Sequence, residues 1–174
     1  MIFVIPTIAY SEIDNKEERK KLASEYLKQG VISYQNEKYE EAAQYYIASV
    51  QQWSSVRAIG NLCNLYLYGQ GVEQNYSQAL KLCKAAAKYD DPHSLVMLGE
   101  MYLFGKGVKI DKEIAKEYYR KGADLEHTHG QYILGRILLE ETPNEARRYL
   151  EKAALKGHSG AKELLTEINN KANK

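Results

Sequence analysis

A pattern of apolar residues and glycines occurs twice in this chain, 36 residues apart, and this repeat limits the fold more than any other feature. Leu62, Tyr66, Gly69, Gly71, Val72 and Ala79 are matched by Leu98, Tyr102, Gly105, Gly107, Val108 and Ala115. A third copy starts at Leu134-Gly135, but its Ala146 comes only 31 residues after Ala115. The missing residues belong to the glycine loop. The repeat therefore predicts two helical segments joined by a loop of variable length.

Each copy carries the signals of two amphipathic helices. Apolar residues at i, i+3 and i+4 predict the first helix, as in Ala58, Leu62, Leu65 and Tyr66, and again in Leu95, Leu98, Met101 and Tyr102. Asn75, Asp111 and Thr142 each precede a repeated alanine by four residues, so they predict the N-cap of the second helix. Thr142 predicts the most complete cap, because Pro143 follows it and Glu145 is placed for a capping box. The repeated alanines predict a close approach of two helices.

The segments outside the clearest copies extend the same architecture. Leu22–Gln51 predicts a related helix pair without the glycine loop, and 161–169 predicts one polar helix that closes the stack. The sequence therefore predicts an all-α fold, an α/α superhelical solenoid of four antiparallel helix pairs plus a C-terminal capping helix. The expected organisation is one repeat domain over 17–174, with repeats at about 20–54, 57–92, 93–128 and 129–160 and a capping helix at 161–170.

Residues 1–16 need a separate interpretation. The apolar run Ile2–Tyr10 is too short to cross a bilayer, and the sequence predicts no membrane span. Two alternatives stay open for it. It is either the remnant of a secretory signal, cleaved after Thr7-Ile8-Ala9, or an N-terminal extension that caps the first helix pair.

The repeated pattern resembles the Sel-1-like repeat (SLR) family, which is related to the tetratricopeptide repeat (TPR). The second copy carries the resemblance best, through Leu98, Gly99, Tyr102, Gly105, Gly107, Val108, Asp111, Ala115, Tyr119 and Ala123. The first pair, with Gly30, Tyr39, Ala42 and Tyr46, resembles a plain TPR. The resemblance covers about residues 20–165. It implies a right-handed superhelix that scaffolds protein complexes, often in bacterial envelope, secretion or signalling settings.

Several functional classes find no support in the residues. With 24 Lys and Arg against 23 Asp and Glu, the chain lacks the basic excess of a nucleic-acid-binding protein. The loops Gly69-Gln70-Gly71 and Gly105-Lys106-Gly107 lack the context of a phosphate-binding loop and instead predict left-handed helix ends. No catalytic motif is recognised, and the sequence predicts no cofactor.

The four histidines predict turn residues rather than a metal site. His93 and His129 occupy equivalent repeat positions, as do His127 and His158. Equivalent positions in stacked helices are expected roughly 10 Å apart, too far for two imidazoles to share a metal ion. A weak metal site at His127-x-His129 is the alternative.

Two cysteines interrupt the repeat pattern. Cys63 stands where the other copies have Gly99 and Gly135, and Cys83 stands where they have Tyr119 and Leu150. Both positions are predicted to face the contact between the two helices of one copy. Either two middle-sized residues pack there in a reduced core, or they form a disulfide, which would require an oxidising compartment.

A binding surface is predicted on the concave face, which the first helix of each pair would line. Its residues combine apolar, aromatic and polar side chains, as protein-binding grooves do: Tyr34, Asn64, Leu67, Tyr68, His93, Val96, Glu100, Leu103, Phe104, His129, Tyr132 and Arg136. The alternative is that Leu67, Tyr68 and Leu103 pack under the loops of neighbouring copies.

These observations predict a non-enzymatic module that binds another protein or a peptide. The resemblance suggests an envelope adaptor or a toxin-immunity protein as narrower roles. The alternative function is a cell-wall or β-lactam-active enzyme, because some cysteine-rich SLR proteins resemble such enzymes, although their cysteines occupy other positions. The location stays open between the cytoplasm and the periplasm, with a preference for export, and the oligomeric state is not predicted.

Overall fold

The computed structural model describes residues 15–172, and within this range the chain forms nine α-helices and no strand. They are α1 (Lys16–Gln35), α2 (Tyr39–Gln52), α3 (Val56–Tyr68), α4 (Tyr76–Ala87), α5 (Pro92–Phe104), α6 (Lys112–Asp124), α7 (Thr128–Leu138), α8 (Pro143–Leu155) and α9 (Ser159–Ala172). Consecutive helices pack as the pairs α1–α2, α3–α4, α5–α6 and α7–α8, and α9 packs against α8. The predicted all-α repeat fold of four pairs and a closing helix is therefore confirmed.

The chain divides into two compact units, the first ending at Asp91 and the second beginning at Pro92. The first unit contains α1–α4 and the second contains α5–α9. The predicted single repeat domain over 17–174 stays a prediction. The two interpretations of the Ile2–Tyr10 run fall on residues outside the described range. No helix within 15–172 is both long and apolar enough to cross a membrane.

The repeated alanines lie in the core, each on the second helix of a pair. Ala79, Ala115 and Ala146 are all fully buried, as the pattern predicted. Each follows a cap residue by four positions, and two of these caps form as expected. Asn75 Oδ1 accepts a hydrogen bond from the Gln78 amide at 2.9 Å, and Asp111 Oδ1 accepts one from the Ile114 amide at 3.0 Å.

The predicted cap at Thr142 is wrong in its hydrogen bonding. Thr142 is the N-cap residue of α8, but its side chain accepts no bond from the helix amides. Its hydroxyl donates to the carboxylate of Glu145 at 3.3 Å, and Arg120 of α6 holds the other oxygen of that carboxylate. The ion pair with Arg120 thus replaces the capping box. It also holds the pKa of the Glu145 carboxyl below its usual range.

One contact between paired helices recurs in all four pairs. A small residue on the first helix faces a larger one on the second, except in α3–α4, where two cysteines meet: Gly30 with Tyr46, Cys63 with Cys83, Gly99 with Tyr119, and Gly135 with Leu150. All eight residues are buried. The recurring contact fixes the distance between the two helices of each pair.

The glycine loops end the first helices as predicted. Gly69 is the C-cap of α3 in the left-handed conformation, with φ of 67°, and its amide donates to the Leu65 carbonyl. Gly105 follows α5 with φ of 71°. Glycine adopts these angles at no steric cost, so the loops serve the fold.

Candidate functional site

The second unit contains an open cavity of about 510 Å³ between α5, α6 and α7. Its size is typical of a ligand- or peptide-binding pocket. Nine residues from three helices line it: Glu100, Leu103 and Phe104 from α5, Lys112 and Tyr119 from α6, and His129, Ile133, Arg136 and Ile137 from α7.

Helical periodicity explains why these side chains share one cavity. On α5 the lining residues occur at i, i+3 and i+4 from Glu100, and on α7 they occur at i, i+4, i+7 and i+8 from His129. Both spacings describe one face of an α-helix. The cavity is therefore bounded by two helix faces, with Tyr119 of α6 buried beneath it.

The cavity has an apolar floor and a polar rim. Leu103, Ile133 and Ile137 are partly buried and supply aliphatic surface, whereas Phe104 at the end of α5 is 62% exposed. Glu100 is paired with Lys106, whose Nζ lies 2.5 Å from Glu100 Oε1. An exposed aromatic ring beside a partly apolar cavity is the composition found at protein-binding surfaces.

A stack of rings supports the Arg136 side of this rim. The Arg136 guanidinium lies 5.5 Å from the centroid of the Tyr132 ring, and that ring stacks on His158 with centroids 4.3 Å apart. Tyr132 also lies against Gly160, where a Cβ atom would be 3.1 Å from the Tyr132 hydroxyl oxygen. The ring therefore holds Arg136 at the cavity edge through a cation–π contact.

The histidines lie closer together than the sequence predicted, because the residues that meet are not the equivalent ones. His129 Nδ1 lies 3.3 Å from His158 Nε2, and the rings of His93 and His127 have centroids 5.7 Å apart. His127 Nδ1 accepts the Gly130 amide at 3.2 Å, and His158 Nδ1 accepts the Ala161 amide at 3.3 Å. Two predicted turn residues are thus helix caps as well.

The His129–His158 pair offers two imidazoles, fewer ligands than a structural or catalytic zinc site uses. Burial first, and then the neighbouring His158, lower the pKa of His129 below its usual value. No group of three or more metal-ligating side chains occurs within residues 15–172. Because His158 Nδ1 accepts a backbone hydrogen, its Nε2 carries the proton and donates to His129.

In the first unit, Tyr34 and Asn64 belong to an internal contact. The Tyr34 hydroxyl oxygen lies 3.3 Å from Asn64 Oδ1 and 3.2 Å from Gln70 Oε1, so the hydroxyl donates within the fold. Burial, together with nearby Tyr39, raises the pKa of the Tyr34 hydroxyl and keeps it protonated. Tyr34 thereby fastens α1 to α3 and its glycine loop.

Two residues predicted for the binding surface are buried, and their prediction is wrong. Leu67, near the end of α3, is 0% exposed. Gln74 Nε2, in the loop of the same copy, donates to the Leu67 backbone carbonyl at 3.0 Å. Val96 is 1% exposed, since its Cγ2 fills the space beside Gly122 and Gly130.

The cavity thus brings together five of the predicted surface residues: Glu100, Leu103, Phe104, His129 and Arg136. Tyr132 lies next to them under Arg136, whereas His93 packs on His127 and Tyr68 is 40% exposed in the first unit. Sequence reasoning missed Lys112, Tyr119, Ile133 and Ile137. The i, i+4, i+8 spacing of His129, Ile133 and Ile137 was the signal that could have found the α7 face.

The two cysteines are joined in the structure. Cys63 of α3 and Cys83 of α4 form a disulfide with Cα atoms 5.4 Å apart, and both residues are fully buried. The bond lies inside the α3–α4 contact, away from the surface.

Solved structures share this fold. A Sel1 repeat protein of Oxalobacter formigenes is 28% identical, covers 71% of the chain and has a TM-score of 0.64. A protective antigen of uropathogenic Escherichia coli with an SLR fold is 22% identical over 91% of the chain, with a TM-score of 0.69. A Sel1 repeat protein of Klebsiella pneumoniae is 20% identical over 88%, with a TM-score of 0.59.

Two of these proteins are much longer than the part that matches. The present chain covers 37% of the Oxalobacter protein and 34% of the Escherichia protein, but 83% of the Klebsiella protein. No curated protein matches the chain.

The family comparison agrees with the repeat pattern. The Sel1 repeat model matches residues 56–89, 92–127 and 128–158, which together make up more than half of the chain. These ranges are the helix pairs α3–α4, α5–α6 and α7–α8. The chain therefore belongs to the Sel1 repeat family, whose members are generally protein-interaction scaffolds.

Proposed function

We propose that this chain is a non-enzymatic interaction module, and that the cavity between α5, α6 and α7 binds a partner protein or peptide. The observation that carries the proposal is the exposure of Phe104 at the mouth of an otherwise partly buried cavity. Aromatic side chains beside a desolvated pocket are typical of the residues that dominate binding energy at interfaces.

A second exposed aromatic residue supports this interpretation. Tyr68 ends α3 as Phe104 ends α5, the two positions are 36 residues apart, and Tyr68 is 40% exposed. Each unit thus carries an exposed ring at the same position of the repeat.

Affinity capture from the native host with the purified chain tests the proposal. We expect wild-type protein to retain a specific partner and Phe104→Ser to lose it at unchanged helical content. Tyr68→Ser tests the ring of the first unit in the same way. Leu155→Ser is the matched control, because Leu155 is 88% exposed on α8 and lies outside the cavity.

Two outcomes would contradict the proposal. In one, Phe104→Ser captures the same partner that wild type and Leu155→Ser capture. In the other, Phe104→Ser unfolds the chain, which would mean that this ring serves the fold.

The envelope-adaptor and toxin-immunity roles are narrower forms of the same proposal. The buried disulfide favours an exported protein, because such bonds persist in oxidising compartments. The bacterial origin of the similar structures agrees with a bacterial envelope setting. The mass of the protein isolated from its host would decide whether residues 1–9 are removed and whether Cys63 and Cys83 are oxidised.

The Sel1 repeat fold is typically a scaffold without enzymatic activity. The cell-wall or β-lactam enzyme remains the alternative, and the bonded, buried cysteines argue against it because neither supplies a free thiol nucleophile. A β-lactam turnover assay on the purified chain tests it directly, with no turnover expected.

A further inference from the structure

The rim of the α5–α6–α7 cavity carries an excess of positive charge. Arg136 and Lys112 are both exposed on it, and neither is paired with a carboxylate within residues 15–172. Glu100 is the one acidic residue of the lining, and Lys106 pairs with it. The cavity therefore presents two cations to a ligand.

Arg136 is positioned for a directed contact. Its guanidinium lies over the face of Tyr132, which is itself held between His158 and Gly160. A guanidinium in a cation–π contact still has N–H groups that can bind both oxygens of one carboxylate. The ring stack thus limits the motion of a side chain that would otherwise sample many rotamers.

The floor of the same cavity selects for apolar groups. Ile133 and Ile137 lie one helical turn apart on α7, and Leu103 faces them from α5. An aliphatic side chain that fills this floor is stabilised because its apolar surface leaves water. Phe104 extends the apolar surface beyond the cavity mouth, so the complementary ligand is longer than one side chain.

We infer that the cavity binds an acidic amphipathic segment of a partner protein, with an aliphatic side chain on Ile133 and Ile137 and an Asp or Glu carboxylate on Arg136. This inference rests on the proposed protein-binding function and specifies the chemistry of the partner. Lys112 adds long-range attraction for the same negative charge.

Selection from a random-peptide phage library on the immobilised full chain tests the inference. We expect the selected peptides to combine Leu, Ile or Phe with neighbouring Asp or Glu. Selection on Arg136→Glu should shift the charged residues to Lys and Arg. Arg148→Gln is the control for loss of charge alone, because Arg148 is exposed on α8 and lies outside the cavity.

A direct affinity measurement completes the test. The best selected peptide should bind about tenfold more weakly to Arg136→Gln than to wild type, the change expected for loss of a charge-assisted hydrogen bond. Equal affinity for both, or selected peptides without an acidic excess, would overturn the inference.

Phe104→Ser separates this inference from the proposed function. If that variant loses the selected peptides while their charge proves irrelevant, the cavity binds peptides but the inferred chemistry is wrong. If no peptide is enriched on wild type over Phe104→Ser, both the inference and the cavity as binding site are overturned.

Discussion

The helix pairs α3–α4 and α5–α6 make the same repeat contact with different kinds of side chain. In α5–α6, Gly99 faces the ring of Tyr119, and a Cβ atom at Gly99 would lie 3.0 Å from Tyr119 Cδ2. In α3–α4, Cys63 and Cys83 occupy these positions and are bonded to each other. A small and a large residue have been exchanged for two of middle size, as the sequence suggested.

The two solutions stabilise their pairs in different ways. Tyr119 contributes by burial of a large ring, and this burial raises the pKa of its hydroxyl. The disulfide contributes mainly by restricting the unfolded chain. Reducing agents should therefore leave the stability of the α5–α6 pair unchanged and should lower the stability of the α3–α4 pair.

Of the changes considered for these two pairs, removal of the Tyr119 ring should lower the free energy of unfolding most. Tyr119 is 3% exposed and packs on Gly99, where no side chain can move in to fill the space. We expect Tyr119→Ala to lower the free energy of unfolding by about 3–5 kcal/mol. Urea unfolding followed by circular dichroism measures it, and a loss below about 1 kcal/mol would show that the ring is not a core residue.

Loss of the disulfide should have the next largest effect. The bond closes a segment with a sequence separation of 20 residues, for which a loss of roughly 3 kcal/mol is expected. Urea unfolding of Cys63→Ala with Cys83→Ala measures it. Dithiothreitol should destabilise wild type by a similar amount and leave the double variant unchanged; equal sensitivity of both would contradict a disulfide in the native protein.

Addition of one methyl group to the α5–α6 contact tests the small partner. The Gly99→Ala side chain would press on the buried Tyr119 ring, so we expect a loss of about 1–3 kcal/mol from overpacking. The same urea experiment measures it. Combination with Tyr119→Ala should recover part of this loss, because the ring that opposes the new methyl group is gone. Strict additivity of the two changes would argue against direct contact.

The repeat spacing was enough to predict the paired helices and the partners in this contact. The 36-residue period places Cys63, Gly99 and Gly135 at one position, and any helix pair with that period brings them to the same neighbour. Burial was harder to predict. Leu67 looked like a surface residue because helical periodicity assigns it to one face of its helix and says nothing about what packs against that face.

The cavity was only half predictable for a similar reason. Equivalent repeat positions identified Phe104 and Arg136, but the His129–His158 contact joins positions that are not equivalent. Such contacts depend on the distance between successive turns, which a repeat pattern does not contain. The absence of a capping box at Thr142 was unpredictable for the same reason. It depends on an ion pair between Glu145 and Arg120, which lies on another helix.

The smallest expected effect concerns the turn after α6. Lys156 first, then Lys152 and Gln131, bond to Glu126 and lower the pKa of its carboxyl to about 2. Because this folded-state pKa lies below the unfolded value, the interaction stabilises the chain near neutral pH. That stabilisation is lost as the pH falls from about 5 to about 2.

Glu126→Gln should therefore be slightly less stable than wild type at pH 7, and the difference should disappear towards pH 2. Thermal unfolding across this range measures it. Asp90→Asn makes the same change of charge at the equivalent turn after α4 and serves as the control. A difference between Glu126→Gln and wild type that grows on acidification would contradict the assigned direction of the pKa shift.

We propose that this chain meets its partner at the cavity between α5, α6 and α7. Site-specific photo-cross-linking in the host cell tests it most directly, with a benzophenone amino acid placed at position 104 or at position 155. We expect a discrete cross-linked partner from position 104 and none from position 155. A partner captured from position 155 and not from position 104 would contradict it.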